Sequence, residues 1–398
     1  MNKICVIGLG YVGLPTAILA SEYFDVLGVD INAKLISNLN NQRFHSEEAE
    51  ITIKLNEAIL SKRILFSVKP NFSDVFVLAV PTPVDKNRNP SLNYVYDAID
   101  SILPYLRPGN LIIIESTSPI GTTVNIQKYL QKELREIYIS YCPERVLPGD
   151  TFNEIRNNDR IIGGVCIKSS ELTTEFYSKF VIGNLHVTNS KTAEACKLVE
   201  NSYRDFQIAF ANELSMNFND DSEIDVFNLI NLANKHPRIN ILSPGVGVGG
   251  HCIAVDPYFL INHNPQKTKL IQLSRTINLE KTDWVISRIE QAIYSKINRK
   301  KTTINICIFG ITYKPNSSDL RESPALKILK EIASKNLKIN LMYSDPWLKK
   351  DIEIKNVTKI KNLENLENLD LAVVCIAHEE FQKINFQKQN TLDFTGKF

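Results

Sequence analysis

Three glycines at the spacing Gly8-x-Gly10-x-x-Gly13 stand between a short β-branched run, Lys3 to Ile7, and a helical stretch, Leu14 to Phe24, which leads into a second run, Val26 to Asp30. This order constrains the chain more than any other feature. An apolar strand, a tight glycine turn, a helix and a second strand make a βαβ unit, whose strands lie parallel. The first glycine permits the turn, the second lets backbone approach a pyrophosphate, and the third allows close packing of helix on strand, at a helix end that favours anions. Tyr11 and Val12 complete the turn. Asp30 ends the second strand, where a carboxylate accepts from a ribose 2′-hydroxyl and repels a 2′-phosphate, so the expected dinucleotide is NAD, not NADP. The bland alternative is a glycine-rich turn with an incidental acid.

Further runs rich in β-branched residues follow at Ile64 to Val68, Asp74 to Val80, Leu111 to Thr117 and Ile137 to Tyr141, with helical stretches such as Tyr94 to Leu103 between them. Such alternation predicts a doubly wound parallel sheet. Helical spacing without proline or glycine then runs from Lys191 to Phe218, and a second long helix is predicted from Lys267 to about Ile297. Strand-like Ile304 to Phe309, helical Pro324 to Ser334, and strand-like Lys338 to Tyr343 and Leu369 to Ile376 restore the alternation. The predicted class is α/β: two Rossmann-like domains, 1–189 and 299–398, joined by a helical central domain, 190–298.

At 398 residues the chain has room for such a division and for a buried site. Forty-six basic against forty-four acidic residues, without long like-charge blocks, offer no stripe that would track a phosphate backbone, so nucleic acid is not an expected partner. The run Ile4 to Ala20 is broken by three glycines and a proline and has no basic lead-in. No later run reaches membrane-spanning length, and the expectation is a cytoplasmic protein without a membrane partner. The seven cysteines, at 5, 142, 166, 196, 252, 307 and 375, form no CxxC pair, and no histidines cluster at zinc spacing. Neither disulfides nor a structural metal is expected, and most of these thiols read as small core residues. Cys142, Cys307 and Cys375, in strand-like runs, and Cys196, in a helix, are assigned to packing.

Cys252 differs by context. It follows Gly249 and Gly250, whose size lets substrate and backbone N–H groups come close, and it precedes a short segment of helical character. A free thiol titrates at about 8.5, so modest help makes it a nucleophile near neutrality. Lys197 and Asn201 are four apart on a predicted helix and share a face, so one site can use both; by sequence alone Lys197 reads as a snorkelling surface lysine. Asp256 follows Cys252 by four residues and precedes Pro257, which limits helical geometry there; a helix cap is its alternative role. Glu144, in Cys142-Pro-Glu-Arg145, follows a strand end, where a carboxylate can hold water or act as a base. An ion pair with Arg145 or Arg160 is the alternative.

Ligands of parallel sheets gather at the carboxyl ends of strands, and four segments with glycine or proline punctuation fall at such places: Val80-Pro-Thr-Pro83, Glu115 to Thr122, Tyr141 to Gly149 and Gly247 to Asp256. With Lys197-Leu-Val-Glu-Asn201, Gly310-Ile-Thr-Tyr-Lys-Pro315 and Asp319-Leu-Arg-Glu-Ser323, in this order, the chain resembles the UDP-glucose/GDP-mannose dehydrogenase family from Ile4 to about Phe381. Within the family it is most similar to the N-acetylmannosamine branch, through Lys235-His-Pro-Arg-Ile-Asn240 and His251-Cys-Ile-Ala-Val-Asp-Pro-Tyr258; proline in place of Ala254 is the mark of the N-acetylglucosamine branch. Val246 stands where relatives usually carry proline.

The resemblance implies a four-electron oxidation at C6 of a UDP-sugar, UDP-N-acetylmannosamine first and UDP-N-acetylglucosamine or UDP-glucose as alternatives. Cys252 captures the aldehyde as a thiohemiacetal, oxidised to a thioester; Lys197 and Asn201 stabilise the oxyanion and assist proton transfer, Asp256 orients water or the lysine, and Glu144 with Thr117 holds the hydrolytic water. It adds Thr82, Thr117 and Arg321 to the NAD-binding set of Gly8, Gly10, Tyr11, Val12, Gly13 and Asp30. The substrate set it implies is Glu144, Arg145, Val146, Leu147, Lys197, Asn201, Arg204, Arg238, Gly249 and Lys314, with Arg238 donated by a neighbouring subunit of a homodimer or higher oligomer. The implied product is a uronic acid for capsule or another surface polysaccharide. A two-electron hydroxyacid dehydrogenase, which needs neither Cys252 nor a second α/β domain, and a non-oxidative sugar epimerase are the rival classes.

Overall fold

The first eight strands form one sheet, in the order β3-β2-β1-β4-β5-β6-β7-β8. They are β1 (Lys3–Ile7), β2 (Asp25–Val29), β3 (Ile64–Ser67), β4 (Val75–Leu78), β5 (Leu111–Ile114), β6 (Tyr138–Tyr141), β7 (Arg160–Gly164) and β8 (Leu185–Asn189). This computed structural model describes residues 1–46, 48–131, 136–146, 149–300, 303–335, 337–360 and 369–398. All neighbours in the sheet are parallel except β6 and β7. The predicted parallel sheet is therefore present with one antiparallel step. Helices α1 (Gly13–Ala20), α2 (Ala33–Asn40), α3 (Ala49–Leu60), α4 (Asn93–Ile102), α5 (Thr122–Leu130), α6 (Thr151–Asn157) and α7 (Ile167–Tyr177) connect the strands. Two apolar clusters are built on the sheet, one around Ile4, Val6, Val75 and Val77, the other around Cys5, Ile7, Phe76 and Leu78. Successive residues of a strand point to opposite faces, so a run buried on both sides must be apolar throughout.

Helices α8 (Ser190–Asn217), α9 (Val226–Ala233), α10 (Pro257–His263) and α11 (Lys269–Lys300) follow. The second sheet has β9 (Ile304–Phe309), β10 (Ile339–Ser344), β11 (Val357–Lys359), β12 (Leu371–Val374) and β13 (Thr391–Asp393), in the order β11-β10-β9-β12-β13, all parallel. Helix α12 (Pro324–Ser334) links β9 to β10; Ser323 caps it through Leu326 N, and proline at its first position costs no hydrogen bond. Each sheet starts with one strand in its middle and reverses direction beside it, at β1/β4 and at β9/β12, which opens a crevice at the strands' carboxyl ends. By compactness the chain divides into two units, Met1–Glu200 with Tyr258–His263, and Asn201–Pro257 with Asn264–Phe398. Among the described residues no helix is long and apolar enough to cross a membrane.

Candidate active site

In the first unit the glycine turn is built as its spacing demands. Gly8 has φ +91°, and a Cβ there would lie 2.6 Å from the Ala79 carbonyl oxygen at the end of β4, while one at Gly13 would collide with the Gly8 carbonyl. At Gly10 a Cβ would meet nothing within 4 Å. The first and third glycines are thus demanded by the fold, and the second leaves room for something else. Asp30 accepts from Leu9 N (3.0 Å) and Asn32 N (2.9 Å), which fixes its carboxylate against the turn. No side chain caps α1. A turn with an open second glycine, an anchored acid and an uncapped helix end fits a dinucleotide pyrophosphate and ribose. Tyr11 Oη lies 2.8 Å from Thr151 Oγ1, which donates to Glu48, and burial pushes the phenol well above its usual range. Val12 is the αR residue from which α1 begins. Thr82 is half-buried in the segment after β4.

Thr117 is half-buried just beyond β5. Its flanks are fastened, by Ser116 Oγ donating to Val80 O (2.7 Å) and by Glu194 of α8, which accepts from Gly121 N (2.5 Å) and Thr123 N (2.7 Å). Glu144 follows β6 and is buried. Its Oε2 accepts from Arg160 (2.8 Å) and its Oε1 from Arg145 N (2.7 Å), so the ion pair with Arg160 exists and the one with the Arg145 guanidinium does not form. Arg160, at the start of β7, also lies 3.3 Å from Glu115 and stacks 4.4 Å from the Tyr177 ring centroid. Tyr177 Oη donates to Glu115 (2.6 Å). Burial pushes Glu115 up to about 7, opposed by Arg160. One guanidinium thus serves two buried carboxylates; removing it would strand both, at a cost of about 3–5 kcal/mol. The Lys197 ammonium, half-buried on α8, donates to the Glu144 carbonyl (2.6 Å), which joins two predicted site residues. The Arg145 guanidinium is engaged by Glu200 (2.9 Å) and the Asp159 carbonyl (2.9 Å), so it shapes the loop. Val146 packs beside the apolar cluster, and Leu147 lies outside the described residues.

In the second unit, Asn201 Nδ2 donates to buried Asp256 (2.5 Å), and Asp256 N donates to the Cys252 carbonyl (2.8 Å). The side chains of two predicted catalytic residues, Asn201 and Asp256, therefore meet one backbone turn from Cys252. A hydrogen bond to a carboxylate contributes about 1.5–3 kcal/mol, enough to hold the amide in one orientation. Cys252 is half-buried and opens a turn that continues into α10. A Cβ at Gly249 would lie 2.8 Å from the Glu322 carbonyl and from Tyr313 Cβ, and Gly250 has φ +82° with Tyr313 beneath it. The glycines next to the thiol thus serve close packing. The loop is also held from α8 and α11: Gly245 N donates to Asn212 (3.0 Å) and Thr282 Oγ1 to the carbonyl of Val246 (2.9 Å), which is itself core. Packing supplies the stiffness that proline would give. Arg321 pairs with Asp319 (2.6 Å), which holds the carboxyl below its usual range, and Gly250 N donates to the Arg321 carbonyl (3.0 Å). Lys314 is half-buried in the loop after β9, and Arg204 and Arg238 are exposed, on α8 and in the segment after α9.

Sequence reading named Arg160 only as an alternative ion-pair partner of Glu144, and assigned no role to Glu194, Asn212 or Tyr313. The one available signal was a charged residue opening the apolar run of β7. Cys142, Cys307 and Cys375 are buried, as assigned; burial raises Cys142 to about 11. Cys196 is half-buried, and among the described residues no group of three or more potential ligands could hold a metal.

The family's NAD binding domain matches residues 2–181, its central domain 191–280 and its UDP binding domain 307–394. The UDP-N-acetyl-D-mannosamine dehydrogenase of Campylobacter jejuni is 42% identical, covering 97% of this chain and 98% of its own. The NDP-N-acetyl-D-galactosaminuronic acid dehydrogenase of Ralstonia nicotianae is 41% identical over 99% of this chain and 96% of its own. Among solved structures, the UDP-D-ManNAc dehydrogenase of Pyrococcus horikoshii superposes with a TM-score of 0.89 at 33% identity, covering 99% and 95%. The cofactor of the glycine turn is NAD, and the chain belongs to the UDP-glucose/GDP-mannose dehydrogenase family.

Proposed function

We propose that this enzyme oxidises the C6 alcohol of UDP-N-acetyl-D-mannosamine to the carboxylate, yielding the uronate and two NADH per sugar. The observation that carries the reading is the Asn201 amide donating to the buried Asp256 carboxylate, one backbone turn from Cys252, whose carbonyl accepts from Asp256 N. When bound at Gly8 to Gly13 and Asp30, with Thr82, Thr117 and Arg321, NAD accepts the hydride of each oxidation. Cys252 adds its thiol to the aldehyde, the carbon–sulfur bond forming as the carbonyl oxygen takes the proton, and so retains the intermediate. Lys197 and Asn201 stabilise that oxygen while it carries charge. Asp256 orients Asn201. Water held by Glu144 and Thr117 then cleaves the carbon–sulfur bond of the thioester, returning the thiol and leaving the carboxylate. Glu144 suits this as a fixed acceptor, since Arg160 and Arg145 N hold its two carboxylate oxygens in place.

Gly249, Lys314, Val146, Leu147, Arg204 and Arg238 complete the substrate set, with Arg145 acting through the loop. Relatives named for different N-acetylated sugars lie at similar identity, so the acetamido group is the firmer part of the specificity. Exposed Tyr203 and Phe210 on α8, and Leu270 and Leu273 on α11, support a homodimer through the 190–298 segment, and the three-part division of the chain follows the family's domains. A cytoplasmic location and a uronate destined for capsule or another surface polysaccharide complete the proposal. The test is to offer UDP-N-acetylmannosamine, UDP-N-acetylglucosamine, UDP-glucose and GDP-mannose, count NADH and weigh the product. A product without the carboxylate mass, or one NADH per sugar, would sink it.

A further inference from the structure

The second unit repeats the construction of the dinucleotide turn. Gly310 follows β9 with φ +75°, and a Cβ there would collide with the carbonyl of Ile376 beyond β12, as one at Gly8 would with Ala79 beyond β4. Gly310 N donates to Ser344 O (2.9 Å) as Gly8 N donates to Val29 O (2.8 Å). Asp345, just past β10, accepts from Ile311 N (2.8 Å) and Trp347 N (3.0 Å), as Asp30 does from Leu9 and Asn32. The two acids then part. Asp30 is half-buried, whereas Asp345 is 2% exposed and its Oδ2 lies 3.1 Å from Nε2 of His378, itself 0% exposed. The face that an acid would turn to a ribose is closed by an imidazole.

That imidazole holds a loop. Nδ1 accepts from Asn316 N (3.0 Å), so the proton of the neutral ring is on Nε2, toward Asp345 and with Thr312 Oγ1 at 3.2 Å. Thr312 Oγ1 in turn donates to the Lys314 carbonyl (3.1 Å). Asn316 sits at φ +55°, a conformation asparagine tolerates, and its side chain donates to Glu379 (2.8 Å). His378 therefore ties both ends of the five-residue turn Thr312–Asn316 whose middle is Lys314. We propose that His378, braced by Asp345, is a positioning residue for nucleotide-sugar recognition, holding the Lys314 turn in its binding shape. This rests on the reading that Lys314 contacts the substrate.

The test uses the full chain and steady-state kinetics with UDP-N-acetylmannosamine and NAD. His378→Ala should raise KM for the sugar nucleotide about 10-fold, the worth of one or two buried hydrogen bonds, with kcat and the KM for NAD moved less than about twofold. His378→Asn puts an amide oxygen where Nδ1 accepts and should recover most of the loss; His378→Gln, whose amide reaches only the Nε2 position, should not. Should His378→Ala fail to fold, this order between the two amides decides. Unchanged KM in all three, equal rescue by both amides, or a parallel rise in the KM for NAD would overturn the proposal. Lys314→Met separates the premise from the inference: no effect on KM refutes the role of Lys314. If Lys314→Met raises KM, adding His378→Ala should add little, and a full additional 10-fold rise would place His378 outside that loop's function.

Discussion

The proposed chemistry rests on Cys252, and its side chain is the one that substitution should expose most directly. Cys252→Ser keeps the loop, whose glycines fill space next to Tyr313, but replaces the thiol by a far weaker nucleophile. Its turnover should fall by about 10³-fold or more while NAD affinity, measured by titration, stays unchanged. Unchanged turnover would require another nucleophile. Lys281 offers a residue-scale test of a different kind. It is buried between α8 and α11, where its ammonium donates to Ser215 (2.8 Å) and faces the Trp284 ring, and burial lowers it from 10.5 to about 7. The unfolded chain therefore binds the extra proton between pH 7 and 10.5, so stability rises with pH across that window. Lys281→Met removes this dependence. Its melting temperature relative to wild type should be highest at or below pH 7 and fall as pH rises to 10; a pH-independent difference would mean the amine is not desolvated. Neither Lys281 nor Arg160 was legible as buried in the sequence, because a charged residue reads as surface until its burial partners, distant in the chain, are known.

At the scale of elements, the two ends of one turn separate folding from binding. Gly8→Ala forces a side chain into a left-handed backbone and against the Ala79 carbonyl, and should cost about 2 kcal/mol or more of stability in chemical denaturation. Gly10→Ala meets no atom within 4 Å and should leave stability within about 0.5 kcal/mol while weakening NAD binding by about 10-fold or more, because the methyl occupies the path of the pyrophosphate. Equal losses of stability in the two variants would contradict this division. Most elements were foreseeable from period and punctuation: β9 and α12 coincide with the predicted runs, and α8 runs within one residue of its prediction at either end. The antiparallel β7 was not, since pairing direction depends on how the chain returns through α6, and no local pattern of apolar residues distinguishes the two directions.

For the whole molecule, the oligomer is the open physical question with a direct measurement. Apolar side chains at Tyr203, Phe210, Leu270 and Leu273 are exposed, a cost that burial against a second copy would offset at roughly 25 cal/mol per Å². Sedimentation velocity should find a dimer at micromolar concentration, and Tyr203→Glu with Leu273→Glu should shift it to monomer; a wild-type monomer would refute the interface. Product stoichiometry is the other whole-molecule readout, because two NADH per sugar require every part of the site to act in one turnover. The sequence alone determined the fold class, the NAD turn and the family, and singled out Cys252 as the proposed nucleophile, since each rests on residues close together in the chain whose spacing carries the physics. Only the tertiary structure decided which charges are buried and what holds the site in shape. Arg160 against Glu115 and Glu144, Asn201 on Asp256 and His378 on Asp345 and Asn316 are contacts between residues 16 to 62 apart in the chain. Partners so far apart leave no periodic mark on the sequence, because it is the packing of strands and helices that brings their polar atoms within bonding distance.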